Sequence, residues 1–163
     1  MNTSKHITFG VGLYLLLSSL GSPMVYSQDS KTDETQSVAE TRNYIFKVQS
    51  VSPRRGGMIQ QSPGYDVIVR TDTVISNLPY IGRAYQASYG SSDAGIKFIS
   101  TKFEYGMEEK KNKLYVKIKP KDVSSVAQMI FTIYNNGTAS LSVICNDRET
   151  ISYNGYVEKR NTK

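Results

Sequence analysis

From Tyr44 onward the chain alternates apolar and polar residues at period two. Tyr44, Phe46 and Val48 form one row, with Lys47 and Gln49 between and after them. Such alternation sets one row of side chains against a core and turns the other toward solvent, the signature of a half-buried strand. The pattern recurs at Tyr65, Val67 and Val69. Thr71-Asp72 then supplies a tight reversal into Val74–Leu78. Ile96 and Phe98 resume it, and Phe103, Tyr105 and Met107 continue in the opposite phase. A phase change requires an extra residue or a break in the strand, which predicts a bulge or corner at Ser100–Lys102. After a charged tip at Lys110–Lys113 come Leu114, Val116 and Ile118, stopped by Pro120. Asp122 is placed to cap a short helical turn carrying Val123, Val126 and Ala127. Met129, Phe131 and Ile133 form the next strand, and Asn135-Asn136-Gly137 is a hairpin signal because these residues tolerate positive φ. Thr138–Cys145 returns, Asn146–Glu149 turns, and Ile151–Val157 is the last strand.

Eight or nine short strands joined by local turns define an all-β protein. Few connections are long enough for crossovers, so the strands are antiparallel. No helical stripe is long enough to cover a sheet face, so the sheet must cover itself. The expected fold is an antiparallel β-sandwich or flattened small barrel of about eight strands, lipocalin-like closure included, with one short helical turn. The single β domain spans residues 44–160. Before it, Gln28–Asn43 is polar apart from Val38 and Ala39 and reads as a flexible leader, since it cannot bury enough surface to offset ordering.

The start of the chain changes the chemistry of the rest. Lys5 and His6 precede a fourteen-residue apolar run, Ile7–Leu20, and Gly21, Ser22 and Pro23 break it. A spanning helix needs about 20 apolar residues. Val25-Tyr26-Ser27 places small residues where signal peptidase cuts. Residues 1–27 are thus expected to be a cleaved secretory signal, and no cysteine lies near the cut to take a lipid anchor. The expected location is periplasmic or secreted, not membrane-spanning. Removal takes the only histidine and one lysine, leaving nineteen basic against fourteen acidic residues, a net charge of +5. A mature chain without histidine and with the single cysteine Cys145 has no Ser-His-Asp or Cys-His catalysis, no zinc site of histidines or paired cysteines and no internal disulfide. The mild positive charge of an exported protein points to solubility or to anionic envelope surfaces rather than to nucleic acid.

Several stretches together resemble a known family: YIFKVQSV at Tyr44–Val51 with its Gly-Gly loop, LPYIGRAY at Leu78–Tyr85, GIKF at Gly95–Phe98, FEY at Phe103–Tyr105, IKPKDV at Ile118–Val123 and ISYNGYV at Ile151–Val157. The mature domain is similar, over nearly its whole length, to domain-of-unknown-function family 4251, exported proteins of the Bacteroides group. The resemblance implies an envelope location and a β-rich fold and carries no activity, cofactor or catalytic residue. It also implies a host that O-glycosylates Asp-Ser/Thr-apolar motifs, and Asp72-Thr73-Val74 fits one, with Thr73 as the acceptor. The competing reading is an ordinary Asp-Thr turn.

The densest collection of aromatic, charged and turn-forming residues lies between Leu78 and Ser100. Tyr80, Arg83, Tyr85, Tyr89 and Asp93 form a candidate ligand patch there. Tyrosine offers a flat apolar face with a hydroxyl, and arginine offers a fork for carboxylate or phosphate. The competing reading is that the tyrosines close the end of the fold. Arg54-Arg55-Gly56-Gly57 lacks the spacing of a phosphate loop and reads as an exposed turn. Glu104 and Glu108 fall on the outward phase, unlike the buried acid of a glycosidase pair. Cys145 shares its phase with Leu141 and Val143 and is expected to be an inert core thiol. The sequence therefore supports a non-enzymatic binding module without cofactor or metal, its partner a small molecule, a glycan or an envelope protein. The alternative is a structural or interaction component of the envelope.

Overall fold

The structure, a computed structural model, describes residues 37–83, 95–111 and 113–160. The proposed signal, residues 28–36 of the leader, and Tyr85, Tyr89 and Asp93 lie outside the described residues. Ten strands form one antiparallel sheet: β1 (Tyr44–Pro53), β2 (Ile59–Gln60), β3 (Asp66–Val69), β4 (Val74–Leu78), β5 (Ile96–Ser100), β6 (Phe103–Lys110), β7 (Lys113–Pro120), β8 (Val126–Tyr134), β9 (Thr138–Cys145) and β10 (Ile151–Lys159). Their order is β5-β4-β3-β1-β10-β9-β8-β7-β6, with β2 paired to β1 off this path. The two ends of that order, β5 and β6, are consecutive in sequence and separated only by Thr101 and Lys102. So short a connection forces the sheet's ends together. A twisted sheet of this many strands curls, and here the curl nearly closes a barrel. Of the two architectures the alternation allowed, the chain adopts the barrel.

The inward row fills the interior. Tyr44 and Phe46 of β1 meet Phe131 of β8 edge-to-face, at ring separations of 6.1 and 5.7 Å, although two strands lie between β1 and β8 in the sheet. These contacts run across the barrel, and all three rings are fully buried. Edge-to-face pairs add to the burial term. Val67, Val74, Ile118, Met129, Leu141 and Tyr153 complete the same core.

The short helix is not where the Asp122 pattern places it. Residues 121–125 form bends and turns, and the one helical turn among the described residues spans 37–40. Its Val38 and Ala39 are buried in the core. Tyr105 donates its hydroxyl proton to the Ala39 carbonyl at 2.8 Å, and the Arg42 guanidinium lies 4.6 Å from the Tyr105 ring. The last part of the stretch read as leader is therefore packed onto the barrel: two small apolar residues suffice when a preformed aromatic wall receives them. Beside them the buried Tyr44 hydroxyl has no hydrogen bond among the described residues, and burial raises its pKa well above the ordinary value.

Asp122 does cap a turn, but one twenty residues away. Its carboxylate accepts from the Ser100 hydroxyl and from the backbone N–H groups of Thr101 at 2.9 Å and Lys102 at 3.2 Å. These bonds hold its pKa down to about 2. The phase change at Ser100–Lys102 is this corner, where the chain passes from one edge of the sheet to the other. The Asn135-Asn136-Gly137 hairpin forms as a three-residue loop, with Gly137 at φ 83° and its N–H donating to the Tyr134 carbonyl.

One outward row departs from polar-out alternation. Cross-strand register aligns Ile45 with Ile68, Ile68 with Ile75, and Ile75 with Ile99. This isoleucine row crosses four strands on the outside of the barrel, and Ile99 is 66% exposed. Among the described residues no helix is long and apolar enough to cross a membrane.

Candidate functional site

Besides the Arg42–Tyr105 and Lys113–Tyr134 pairs, two larger clusters among the described residues combine tyrosine with charged partners. The first stands where the chain leaves β4, over the β9–β10 turn. Tyr80 donates its hydroxyl proton toward the Arg83 carbonyl at 2.8 Å, and that oxygen lies 3.2 Å from the Glu149 carbonyl. Arg148 lays its guanidinium 4.9 Å from the centre of the Tyr80 ring. Asp147 grips Arg148 with both oxygens, Nε at 3.1 Å and Nη2 at 2.9 Å. Those bonds push the Asp147 pKa down and the Arg148 pKa up. The Glu149 N–H donates to the Arg83 carbonyl at 3.1 Å, and the Tyr153 hydroxyl to the Pro79 carbonyl at 2.7 Å. Gly82 passes under the Tyr80 hydroxyl so closely that a Cβ there would sit 2.7 Å from it. The cluster is a clasp tying 79–83 to the β9–β10 turn, with its polar groups used by one another.

Tyr80 and Arg83 thus stand together, Tyr80 as part of the clasp and Arg83 through its carbonyl, with the residue as a whole exposed. Thr73 sits half-buried at the β3–β4 turn and donates its hydroxyl proton to Asp72 at 3.0 Å. Cys145 is half-buried beside the clasp, and burial lifts its thiol pKa to about 11. A thiol so raised holds little thiolate at neutral pH and is a poor nucleophile. Glu104 and Glu108 are exposed and paired to Lys121 and Lys110.

The second cluster was not legible as a site in the sequence. On the outer face of the sheet, register sets Tyr156 of β10 beside Lys47 of β1, and Lys47 beside Asp66 of β3. Lys47 Nζ lies 2.8 Å from the Asp66 carboxylate, which raises the lysine pKa against the opposing effect of burial. Two residues further on, β1 bulges between Val48 and Ser50, carrying Gln49. The bulge coincides with Gly155 on β10, where a Cβ would lie 1.8 Å from the Lys47 carbonyl oxygen; only glycine lets the strands approach so closely. The segment after β1 then turns back and runs beside β1 along this face. Gly56 and Gly64, at φ 114° and 119°, turn the chain at its two ends. Between them β2 pairs with Ser50 and Val51, and the Gln61 N–H donates to the Gln49 carbonyl at 2.9 Å.

The result is a concavity of about 610 Å³ floored by Lys47, Gln49 and Tyr156 and walled by Met58, Gln60, Gln61 and Tyr65. That volume is in the range of small-molecule sites, about 300–1,000 Å³. The side-chain amides of Gln49, Gln60 and Gln61 make no hydrogen bond to protein among the described residues. The only sequence signal was Gln60-Gln61 behind a double glycine, which alone is a surface turn. Among the described residues no group of three His, Cys, Asp or Glu side chains gathers closely enough to hold a metal ion.

Barrel and clusters define a class: a small all-β domain in which one antiparallel sheet closes around an apolar core. Within that class the chain belongs to the family described as "Domain of unknown function (DUF4251)", whose profile matches residues 26–157. The fold is similar to the crystal structure of a DUF4251 family protein from Bacteroides eggerthii, with a TM-score of 0.62 over 80% of this chain and 88% of that one, at 14% sequence identity. None of the curated proteins matches the chain.

Proposed function

We propose that this protein is an exported, non-enzymatic binding module that holds a small polar ligand in the concavity over β1. The observation that carries the reading is the set of three unpaired glutamine amides around one concavity, next to two tyrosines. Gln49 and Gln60 are exposed and Gln61 is half-buried, so amides that no protein group among the described residues uses face the concavity with their hydrogen-bonding capacity open to a ligand. The tyrosine patch at Tyr80–Asp93 stands apart from this concavity: Tyr80 serves as scaffold because its hydroxyl and ring are already engaged, and Tyr85, Tyr89 and Asp93 lie outside the described residues. The non-enzymatic part rests on the titratable groups: Asp122, Asp147 and Glu104 owe their lowered pKa values to structural partners, whereas catalytic groups are shifted toward their task inside a cleft. Export rests on the apolar run and the Val25-Tyr26-Ser27 site.

Native mass spectrometry of the protein purified from its own envelope tests the export and binding parts. The expected result is a chain beginning at Gln28 with a discrete extra mass that is lost on denaturation. A chain retaining residues 1–27 overturns cleavage of the signal, and a bare mass in the native run counts against a tightly held ligand. Extra mass that survives denaturation and maps to Thr73 identifies the Asp72-Thr73-Val74 turn as glycosylated.

The isoleucine row across β1, β3, β4 and β5 favours a second reading, an interaction component of the envelope. A contiguous apolar row on the outer face that ends in the exposed Ile99 is a contact surface more often than an accident. Photo-crosslinking from position 99 in the native envelope is expected to trap one defined partner under that reading, and a diffuse smear overturns it.

A further inference from the structure

We infer that the concavity over β1 takes a neutral saccharide; the inference rests on the binding reading above and names its ligand class. Charge comes first. Lys47 is the one cation in the lining, and Asp66 already neutralises it at 2.8 Å. No cationic side chain is left there for a phosphate or carboxylate, so nucleotides and acidic ligands lack their usual counter-charge. The lining is half polar in character, with glutamines spaced around it, so a fatty or purely aromatic ligand would strand those amides, each at a cost of about 1–3 kcal/mol.

What remains is a ligand rich in hydroxyls. Each primary amide presents one acceptor and two donors side by side, and vicinal sugar hydroxyls offer the complementary pair. Gln49 stands on the bulge and Gln60 and Gln61 on the strand paired beside it, so a ring at the concavity meets amides from two neighbouring strands. Sugars also have an apolar face of C–H groups. Tyr156, half-buried next to Lys47 in the sheet register, supplies a flat apolar surface that suits it. The segment beside β1 is held by the pairs Gln60 with Ser50 and Ile59 with Val51 and by the Gln61 N–H to the Gln49 carbonyl, and is turned by Gly56 and Gly64.

The test is an NMR titration of the folded mature protein, following the side-chain amide signals of Gln49, Gln60 and Gln61. The probes are three neutral trisaccharides (tri-N-acetylchitotriose, maltotriose and mannotriose), a neutral tripeptide and inorganic phosphate, each taken past about 10 mM so that even a Kd of about 1 mM is saturated. The expected result is a saturable shift of these signals with at least one saccharide. Tyr156→Ala or Gln60→Ala should weaken it at least tenfold while the backbone spectrum stays folded. If the tripeptide or phosphate moves these signals and no saccharide does, the saccharide class is overturned and the binding reading stands. If saccharide shifts map elsewhere on the barrel, the site is wrong. If no probe moves the three amides, the site and the ligand class both fall.

Discussion

The clasp at Tyr80 and the concavity over β1 are built from nearly the same residues. One has Tyr80, Arg148 and Asp147; the other has Tyr156, Lys47 and Asp66. In the clasp the cation is clamped by its carboxylate and laid on the ring, and the phenol is spent on backbone carbonyls. In the concavity the ion pair lies in the sheet row, the ring is left beside it, and glutamines whose side-chain amides bond no protein group among the described residues stand around them. Residue type therefore does not separate scaffold from site. Unspent hydrogen-bonding capacity does, and it can be read only after every donor and acceptor has been traced.

The sharpest way to break the comparison is at the glycine that shapes the concavity. Gly155→Ala drives a Cβ into the Lys47 carbonyl, 1.8 Å away in the undistorted backbone, and backbone cannot step aside as a side-chain tip can. The expected loss is about 3 kcal/mol or more of stability, read by urea denaturation. If the substitution is tolerated, β1 and β10 are not held as closely as the bulge requires.

Tyr80→Ala removes the stacked ring and its hydrogen bonds, with an expected loss of about 2 kcal/mol. Tyr80→Phe keeps the ring and forfeits only the hydroxyl, at about 1 kcal/mol. Equal effects of the two would mean that the ring under Arg148 contributes nothing. The opposite pattern holds in the concavity: Gln60→Ala is expected within about 0.5 kcal/mol of the parent, because its side chain holds no part of the fold. A large loss there would reassign Gln60 to scaffold.

Acid and alkali should also separate the regions. The Asp147 pKa is lowered from the ordinary 3.8 by Arg148, so its contribution is present above 3.8 and fades as pH falls below it. Asp122 behaves likewise, its corner weakening as pH drops from 3.8 toward about 2. Lys47 has its pKa raised above 10.5, chiefly by the hydrogen bond to Asp66. Its contribution is complete below 10.5 and is lost as pH rises through the raised value. Side-chain NMR should show the clasp and the corner loosening as pH falls, and Lys47 letting go of Asp66 as pH rises through the raised lysine value. Both pairs are partly exposed, so salt screening makes these the smallest effects.

Much of the fold was legible because alternation is local. The inward rows Tyr44–Phe46–Val48, Val67–Val69, Leu114–Val116–Ile118 and Phe131–Ile133 are the core the structure contains. The phase change at Ser100–Lys102 was visible for the same reason. The helical turn was misplaced because Asp122 has the chemistry of a cap wherever backbone N–H groups converge, and the nearest ones in space belong to Thr101 and Lys102. Val38 and Ala39 were hidden because two apolar residues in a polar run carry no period. Their burial depends on Tyr105, a strand far along the chain.

The sequence alone determined that this is a β protein, where most strands begin and end, and which face of each strand is apolar. Those properties follow from side chains pointing to opposite faces at successive residues. Closure into a barrel, the reach of Asp122 to a distant turn, and the meeting of residues 47, 49, 58–61 and 156 over one concavity were decided only by tertiary structure. Register and the return of the β1–β3 segment bring those residues together across more than a hundred positions of chain, and no periodicity within a strand encodes what will lie beside it.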